Sequence, residues 1–407
     1  AAEQRTPEQQ KQLEDFYRSQ VDGPIKRAEA ARVAAEKSLE SFRNRLPSAM
    51  VMQEGKSRDA FVLIRGEYDK RGDKVEPGLP AFLPSLPAGA SADRLSLARW
   101  IVSRNNPLTA RVWVNRIWER FFGVGLVKTS ENLGSQASFP SHPQLLDWLA
   151  AEFMETGWDI KRFIKLLVTS RVYRQAATVS PEALAKDPEN RLLARAPRIR
   201  LPAEVVRDAA LAASGLLVPT IGGPSVRPWM PEGVWDETSK YGNLRGYKPA
   251  TNEDRYRRSM YTIWKRTAGP PTMLLFDAPN RETCTVKRSR TNTPLQALAL
   301  LNETTFIEAA HGLAGRMLAE GGDQPAERIA HGFRLVLGRP PTPVEQQTLV
   351  AGLVSDLEAF SADPEAAEQL AAVGIVPRPE GVPLSEYAAF TLAANVLLNL
   401  DEFIMRE

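Results

Sequence analysis

The sequence predicts a mainly α-helical protein: a multi-helix, bundle-like domain with a short β element near residues 58–80 and a long irregular insert at 218–292. Three observations support this prediction. Apolar residues recur at intervals of three and four over most of the chain, capping residues and glycines delimit those stretches, and one long Gly- and Pro-rich segment lacks the pattern. Hydrophobic residues make up 43% and charged residues 25% of the 407 residues, which is an ordinary globular composition.

The first 90 residues are predicted to contain two segments. Residues 1–47 form a helical pair, either a spacer or a coiled arm, because apolar side chains fall at helical intervals in an Ala-, Glu-, Lys- and Arg-rich background. Such a pair needs a partner surface to be stable. Residues 48–90 form an extended lead-in with a β-hairpin, since a strand-like run precedes the turn at Arg71-Gly72-Asp73 and a Pro-rich crossing follows.

Residues 91–407 are predicted to form the mainly helical domain. Helix starts are marked by a capping residue or by proline at the first helical position, at Asn106-Pro107, Ser141, Asp159, Thr293 and Thr342. Within the irregular insert, "SMYTIWKR" and "TMLLF" read as strand-like pieces. Short connections between the helices predict antiparallel neighbours.

Composition excludes several function classes. A single cysteine excludes an intrachain disulfide and a CxxCH haem attachment, and with only three histidines no metal site is predicted. The net charge of +3 is too small to indicate a nucleic-acid partner. The sequence contains no apolar run of about 18 residues, so no membrane span is predicted. The opening "AAEQRTPEQQ" has neither an initiator Met nor the apolar stretch of a signal peptide, so we expect a fragment or a mature product.

Nine long runs occur in order along the chain: "NPLTARVWVNRIWERFFGVGLV", "SHPQLLDWLA", "GWDIKRFIKLLVTSRVYRQ", "DPENRLLARAPRIRLPAEVVRDAALAASGLL", "GGPSVRP", "YRRSMYTIWKR", "FDAPNRETC", "TNTPLQALALLN" and "NVLLNLDEFIMRE". Together they resemble the planctomycete-specific C-terminal domain of unknown function, planctomycete-specific domain one. That domain ends large secreted proteins that often carry an upstream cytochrome c domain. The resemblance extends over about residues 48–407.

The resemblance implies an extracytoplasmic protein, in the periplasm, in the cell envelope or secreted, and no cofactor within this chain, since any haem would belong to an upstream domain. We expect an exported binding or assembly module serving polysaccharide processing or an envelope electron-transfer protein. Its expected partners are a polysaccharide, anionic or sulfated, the upstream domains and other envelope proteins. Two alternatives stay open: a glycan-active enzyme, and a structural subunit that associates through helices within residues 3–46. The family supplies no catalytic residues.

The insert holds the predicted ligand-binding residues: Trp229, Trp235, Arg257, Arg258, Trp264 and Arg281. Aromatic faces stack on sugar rings, and arginine forks bind sulfate, carboxylate or phosphate. Further aromatic and arginine side chains accompany them, among them Tyr241, Arg245, Tyr247, Arg255, Tyr256, Tyr261 and Arg266. The alternative is that these aromatics close a core that lacks regular structure.

Four residues are candidates for catalysis: Asp277, Glu282, Cys284 and His142. The two acids suit acid–base work or cation binding, although ion pairs with the interleaved arginines are the simpler interpretation. Cys284 is a nucleophile only if neighbouring cations lower its pKa; otherwise it is a buried structural side chain. His142 precedes a helix, where it suits an anion or a capping turn.

A stripe on one predicted helix consists of Arg111, Asn115, Trp118 and Phe122 at near-fourfold spacing. Such a stripe either holds a sugar or carboxylate, or forms a hydrogen-bonded seam between helices. For a chain this helical, the seam is the favoured interpretation.

Overall fold

The fold is described here from a computed structural model, which covers residues 5–20, 23–53, 55, 58–235, 246–265 and 267–406. The chain divides into two compact units, residues 1–98 and 99–407. Across the described residues there are sixteen α-helices and two antiparallel sheets of two strands each. The prediction of a mainly α-helical protein is therefore confirmed.

The first unit contains a helical pair and a short hairpin. Its helices are α1 (Pro7–Gln20) and α2 (Pro24–Arg45), and its strands β1 (Ala60–Leu63) and β2 (Arg71–Val75) pair antiparallel, with Ala60 opposite Val75. The predicted β element near residues 58–80 is thus confirmed. No described residue of α1 or α2 is buried, so their apolar side chains remain open to solvent. Helix α3 (Arg94–Ile101) includes the boundary between the units.

The second unit has two apolar cores. The first is built by α4 (Thr109–Phe122), α5 (Pro143–Glu155) and α6 (Ile160–Thr169). Its buried members include Val114, Trp118, Phe122, Leu126, Leu146, Leu149, Phe153, Phe163 and Leu167. Local capping explains where these helices start: the Asn106 side chain accepts from the backbone of Leu108 and Thr109, and Asp159 accepts from the backbone N–H of Arg162.

The second core is larger and surrounds two helices that are apolar on nearly every side. These are α11 (Thr304–Glu320) and α15 (Leu384–Leu398), and a helix of that kind must be enclosed by its neighbours. The remaining helices of the unit are α7 (Pro181–Lys186), α8 (Ala203–Ala213), α9 (Pro271–Leu275), α10 (Pro294–Asn302), α12 (Pro325–Leu337), α13 (Pro343–Ala362), α14 (Pro364–Ala371) and α16 (Asp401–Ile404).

A two-stranded sheet lies where the two cores meet. Strand β3 (Ile199–Arg200) pairs antiparallel with β4 (Met405–Arg406), which follows the last helix. Side chains then bind the C-terminal end of α4: Arg406 donates to the carbonyl of Phe121, and Arg290 donates to the carbonyl of Gly123 at 2.9 Å. Segments far apart in sequence therefore meet at this junction.

The described part of the insert 218–292 has little regular structure, as predicted. It contains the 3-10 turns Glu253–Tyr256 and Ser259–Tyr261, and helix α9. The two strand-like predictions are wrong. "SMYTIWKR" forms one of these turns and a single bridge between Val226 and Thr262, while "TMLLF" falls largely within α9 because Pro271 starts a helix there.

Candidate functional site

A cavity of about 140 Å³, which we call the arginine cleft, opens at the junction of the two cores. Seven cationic side chains and two carboxylates line it. The cations are Arg116, Arg120, Arg200, Lys287, Arg288, Arg290 and Arg406, and the carboxylates are Glu119 and Asp277. The lining is therefore strongly positive, although the whole chain carries a net charge of only +3.

The fold brings the seven cationic side chains together from four separate segments. Arg116 and Arg120 lie one turn apart on α4. Arg200 and Arg406 come from the paired strands β3 and β4. The fourth segment, residues 286–290, has no regular structure and supplies the remaining cations.

Of the six arginines that line the cleft, only Arg288 forms an ion pair among the described residues. Among the described residues, Arg200, Arg290 and Arg406 form no ion pair, whereas Arg288 pairs with Glu204 at 2.8 Å. Burial lowers the pKa of Arg200 and of Arg406, whereas Arg290 is exposed. At Arg200 the effect of burial outweighs the attraction of Asp401 and Asp277, and a bound anion would offset the remaining cost.

Arg200 also has unused hydrogen-bond donors. Only 9% of the residue is exposed. Its Nη1 donates to Asn292 Oδ1 at 3.1 Å, and its guanidinium lies 5.5 Å from the centre of the Phe276 ring. Its Nε and Nη2 have no hydrogen-bond partner among the described residues. A buried unsatisfied donor costs about 1–3 kcal/mol, and the planar guanidinium fork matches the oxygens of a carboxylate, sulfate or phosphate.

A second cavity, the polar cleft, adjoins the arginine cleft and has a volume of about 290 Å³. Here Arg198 pairs with Asp401 and both Nη atoms of Arg195 donate to backbone carbonyls, whereas Arg191 and Arg290 form no ion pair among the described residues. Its unmet group is an acceptor, because the buried Oδ1 of Asn190 has no partner among the described residues while Nδ2 donates to the carbonyl of Arg195.

The predicted ligand-binding residues line neither the arginine cleft nor the polar cleft, and they differ in how deeply they are buried. Trp235 is 1% exposed, with Lys265 Nζ lying 3.9 Å from its ring centre. Arg257 is 5% exposed; its guanidinium donates to the carbonyls of Thr220 and Gly222 and stacks on Tyr261 at 4.1 Å. These two side chains are buried and make their contacts within the insert itself.

The other predicted contacts are more accessible but do not converge. Trp229 is half-buried beside a different crevice, and Arg258 is exposed, 3.6 Å from Asp208. Trp264 donates to the carbonyl of Asn280 at 3.2 Å, and Arg281 stacks on its ring at 4.4 Å. A ligand-binding role for these residues stays a prediction. Tyr241, Arg245 and Arg266 lie outside the described residues.

Two interpretations of the catalytic candidates are wrong. Cys284 is exposed rather than buried, because residues 279–285 form a surface segment without regular structure. Within the described residues neither Asp277 nor Glu282 forms an ion pair. Asp277 instead accepts from the backbone N–H of Thr291 at 2.6 Å and from its hydroxyl at 2.9 Å.

Of the two acids, only Asp277 lines the arginine cleft; Glu282 is exposed outside it. His142 occupies the capping position before α5, but its side chain caps nothing: Nδ1 lies 3.1 Å from Ser141 Oγ. Ser141, predicted as the cap, binds the carbonyl of Leu126 instead. The structure therefore does not bring the four catalytic candidates together.

The stripe on α4 is a seam between packed elements, as favoured. Asn115 is fully buried and donates to the carbonyl of Val127 at 3.0 Å and to Ser130 Oγ at 3.1 Å. The rings of Trp118 and Phe122 stack on each other at 3.9 Å. These side chains are therefore occupied within the fold.

Sequence reasoning missed Arg200, Arg290, Arg406 and Asn190. One local signal was present: "RIRL" at 198–201 alternates charged and apolar residues, as a half-buried strand does. Nothing local could have placed Arg406 beside this strand, because the pairing of Ile199 with Arg406 joins segments far apart in the sequence.

No curated protein and no solved structure matches the chain. Among the described residues, no helix is both long and apolar enough to cross a membrane. A family model, PSD1, described as a protein of unknown function (DUF1553), matches residues 93–353, which is more than half of the chain and holds most of the arginine cleft. The chain belongs to this family of proteins of unknown function.

Proposed function

We propose that this domain is a non-catalytic binding module whose ligand is an anionic polysaccharide bearing carboxylate or sulfate groups, held in the arginine cleft. The observation that carries the proposal is Arg200: a buried guanidinium with two nitrogens that have no partner among the described residues, in a cavity lined by seven cations and two carboxylates. A guanidinium so placed gains both a counter-charge and hydrogen bonds when an oxyanion binds.

The attraction is local. Because the net charge is only +3, long-range steering by the whole molecule is weak, and the ligand must be recognised at short range by the cleft itself. Partly buried cations are screened less by salt than surface cations. Binding should therefore weaken with salt but persist near physiological ionic strength.

The setting we propose is extracytoplasmic, with the module serving polysaccharide processing or an envelope electron-transfer protein whose haem lies in an upstream domain. The resemblance described from the sequence supports this setting. The helical pair α1–α2 exposes its apolar side chains, which supports association with other subunits as a second role. Light scattering after removal of residues 1–47 tests that role. An unchanged number of chains per particle would reject it.

A glycan-active enzyme is the alternative activity. Of the two acids predicted for such an enzyme, Asp277 lies in the arginine cleft together with Glu119, whereas Glu282 lies outside it. The reducing ends released from each bound polysaccharide would be measured with the parent protein and with Asp277→Asn. If the parent protein releases reducing ends and the Asp277→Asn variant does not, the domain is an enzyme rather than a binding module.

The binding experiment uses the full chain with neutral, uronic and sulfated polysaccharides, each across a salt series. We expect binding to the anionic members alone. Arg200→Gln should weaken it by about 10- to 100-fold, which is the loss of one or two hydrogen bonds to a charged group. The matched control is Arg334→Gln, which removes an exposed arginine outside both clefts. Equal affinity for neutral and anionic polysaccharides, or equal weakening by both substitutions, would overturn the proposal.

A further inference from the structure

The two clefts share a thin wall. Ile199 and Arg290 line both of them. Gly123 keeps the wall compact: a Cβ on this residue would lie 2.4 Å from Cγ2 of Ile199, and its carbonyl accepts the bond from Arg290 Nη1. Together the cavities reach the range of about 300–1,000 Å³ that is typical of small-molecule sites. The clefts are therefore close enough to hold one ligand.

The unmet hydrogen-bonding groups differ between the clefts. In the arginine cleft they are donors, Nε and Nη2 of the positively charged Arg200. In the polar cleft the unmet group among the described residues is an acceptor, Oδ1 of Asn190. Arg198 and Glu189 pair with Asp401 and Lys128, while Arg191 and Arg290 add positive charge. A ligand that satisfies both must carry an anionic acceptor at one end and a neutral donor, such as a hydroxyl, at the other.

We propose, on the basis of the binding function proposed above, that the two clefts form one continuous site for an acidic, hydroxyl-bearing chain of at least two linked sugar units. One unit places its carboxylate or sulfate at Arg200. The saccharide passes from one cleft to the other at Ile199, and Arg290, which lines both clefts, contacts it there. The next unit donates a hydroxyl to Asn190 Oδ1.

The polar cleft is poorly suited to a nucleic acid. Single-stranded nucleic acids bind by stacking bases on accessible aromatic faces. Trp118 and Phe122, which line the polar cleft, are each 4% exposed and stack on each other. Their faces are unavailable to a base, whereas hydroxyl groups find an orphan acceptor in the same cleft.

Chain length and hydroxyl groups are the variables to test. Binding of the full chain is measured calorimetrically for galacturonic acid and for its di-, tetra- and hexasaccharides. Polyacrylate serves as a carboxylate polymer without hydroxyls. The variants are Arg200→Gln and Asn190→Gly; glycine suits the backbone at position 190, where φ is 52°. Arg290→Gln is the second probe of the arginine cleft, and thermal unfolding checks that each variant folds.

We expect affinity to rise by about tenfold from the monosaccharide to the tetrasaccharide, the effect of one added hydrogen bond to an orphan acceptor. Asn190→Gly should remove that gain and leave polyacrylate binding unchanged, while Arg200→Gln weakens every ligand. Anion binding that depends on Arg200 but is indifferent to chain length and to Asn190 would overturn the continuous site and leave the proposed function standing. No binding of any probe would overturn the continuous site, and it would overturn the proposed function as well if the sulfated polysaccharides also failed to bind.

Discussion

The insert is attached to the second core by one buried ion pair, and its removal should be costly. Arg255 and Glu308 approach in a bidentate arrangement, with Nη2 2.7 Å from Oε1 and Nε 3.0 Å from Oε2. Their side chains are 6% and 0% exposed. Glu308 also accepts from the backbone N–H of Ile375 at 3.0 Å, so it joins three segments.

Glu308→Gln leaves the Arg255 guanidinium buried without a counter-charge. Its other acceptor is the carbonyl of Ala250, at 3.5 Å. Breaking a buried pair in this way costs about 3–5 kcal/mol, which is a large part of a typical stability of about 5–15 kcal/mol. The double variant Arg255→Met/Glu308→Leu removes both charges and should lose only about 1–3 kcal/mol, mainly because the Ile375 N–H then lacks its acceptor.

The assay is urea unfolding followed by near-ultraviolet circular dichroism, which reports tertiary packing. Arg258→Gln is the control, because Arg258 is 45% exposed and lies 3.6 Å from Asp208, so its loss should cost below about 1 kcal/mol. A Glu308→Gln cost as small as that of the control, or a double variant less stable than the single one, would refute the reasoning.

Three further predictions concern other parts of the second unit. Burial raises the pKa of Glu303 from 4.5 to about 7, so its contribution to stability is fully present below pH 4.5 and is lost as the pH rises through about 7. Glu303→Gln should remove this pH dependence, on the order of 3 kcal/mol, in unfolding curves from pH 4 to 8; parallel curves for the two proteins would contradict it. Gly123→Ala should cost about 1–3 kcal/mol in the same unfolding assay, because φ is 79° and the new Cβ meets Ile199; an unchanged midpoint would show that the wall yields freely. Cys284, which is exposed, should react with a thiol reagent in the native protein as fast as in urea, and strong protection would contradict its surface position.

The helical framework was predictable because its signals are local. Asp159, Thr293 and Thr342 start helices at the positions expected from their spacing to the residues they cap. The strand-like interpretation of "TMLLF" failed because a short apolar run has no periodicity that separates a strand from a buried helix.

The candidate site was not predictable, since its groups meet only through tertiary packing. Arg200 bonds to Asn292, and Arg406 bonds to the carbonyl of Phe121 at the end of a helix from the other core. Composition drew attention to the insert, where arginines and aromatics are dense. There, buried side chains such as Arg257 satisfy carbonyls of the same segment, so density of charge did not indicate an open site.

The measurement that tests the central claim most directly is calorimetric titration of an acidic oligosaccharide into the full chain and into Arg200→Gln, at two salt concentrations. If the arginine cleft is the binding site, the substitution raises the Kd by at least about tenfold and makes binding less dependent on salt. Equal Kd values for the two proteins at both salt concentrations would contradict the claim.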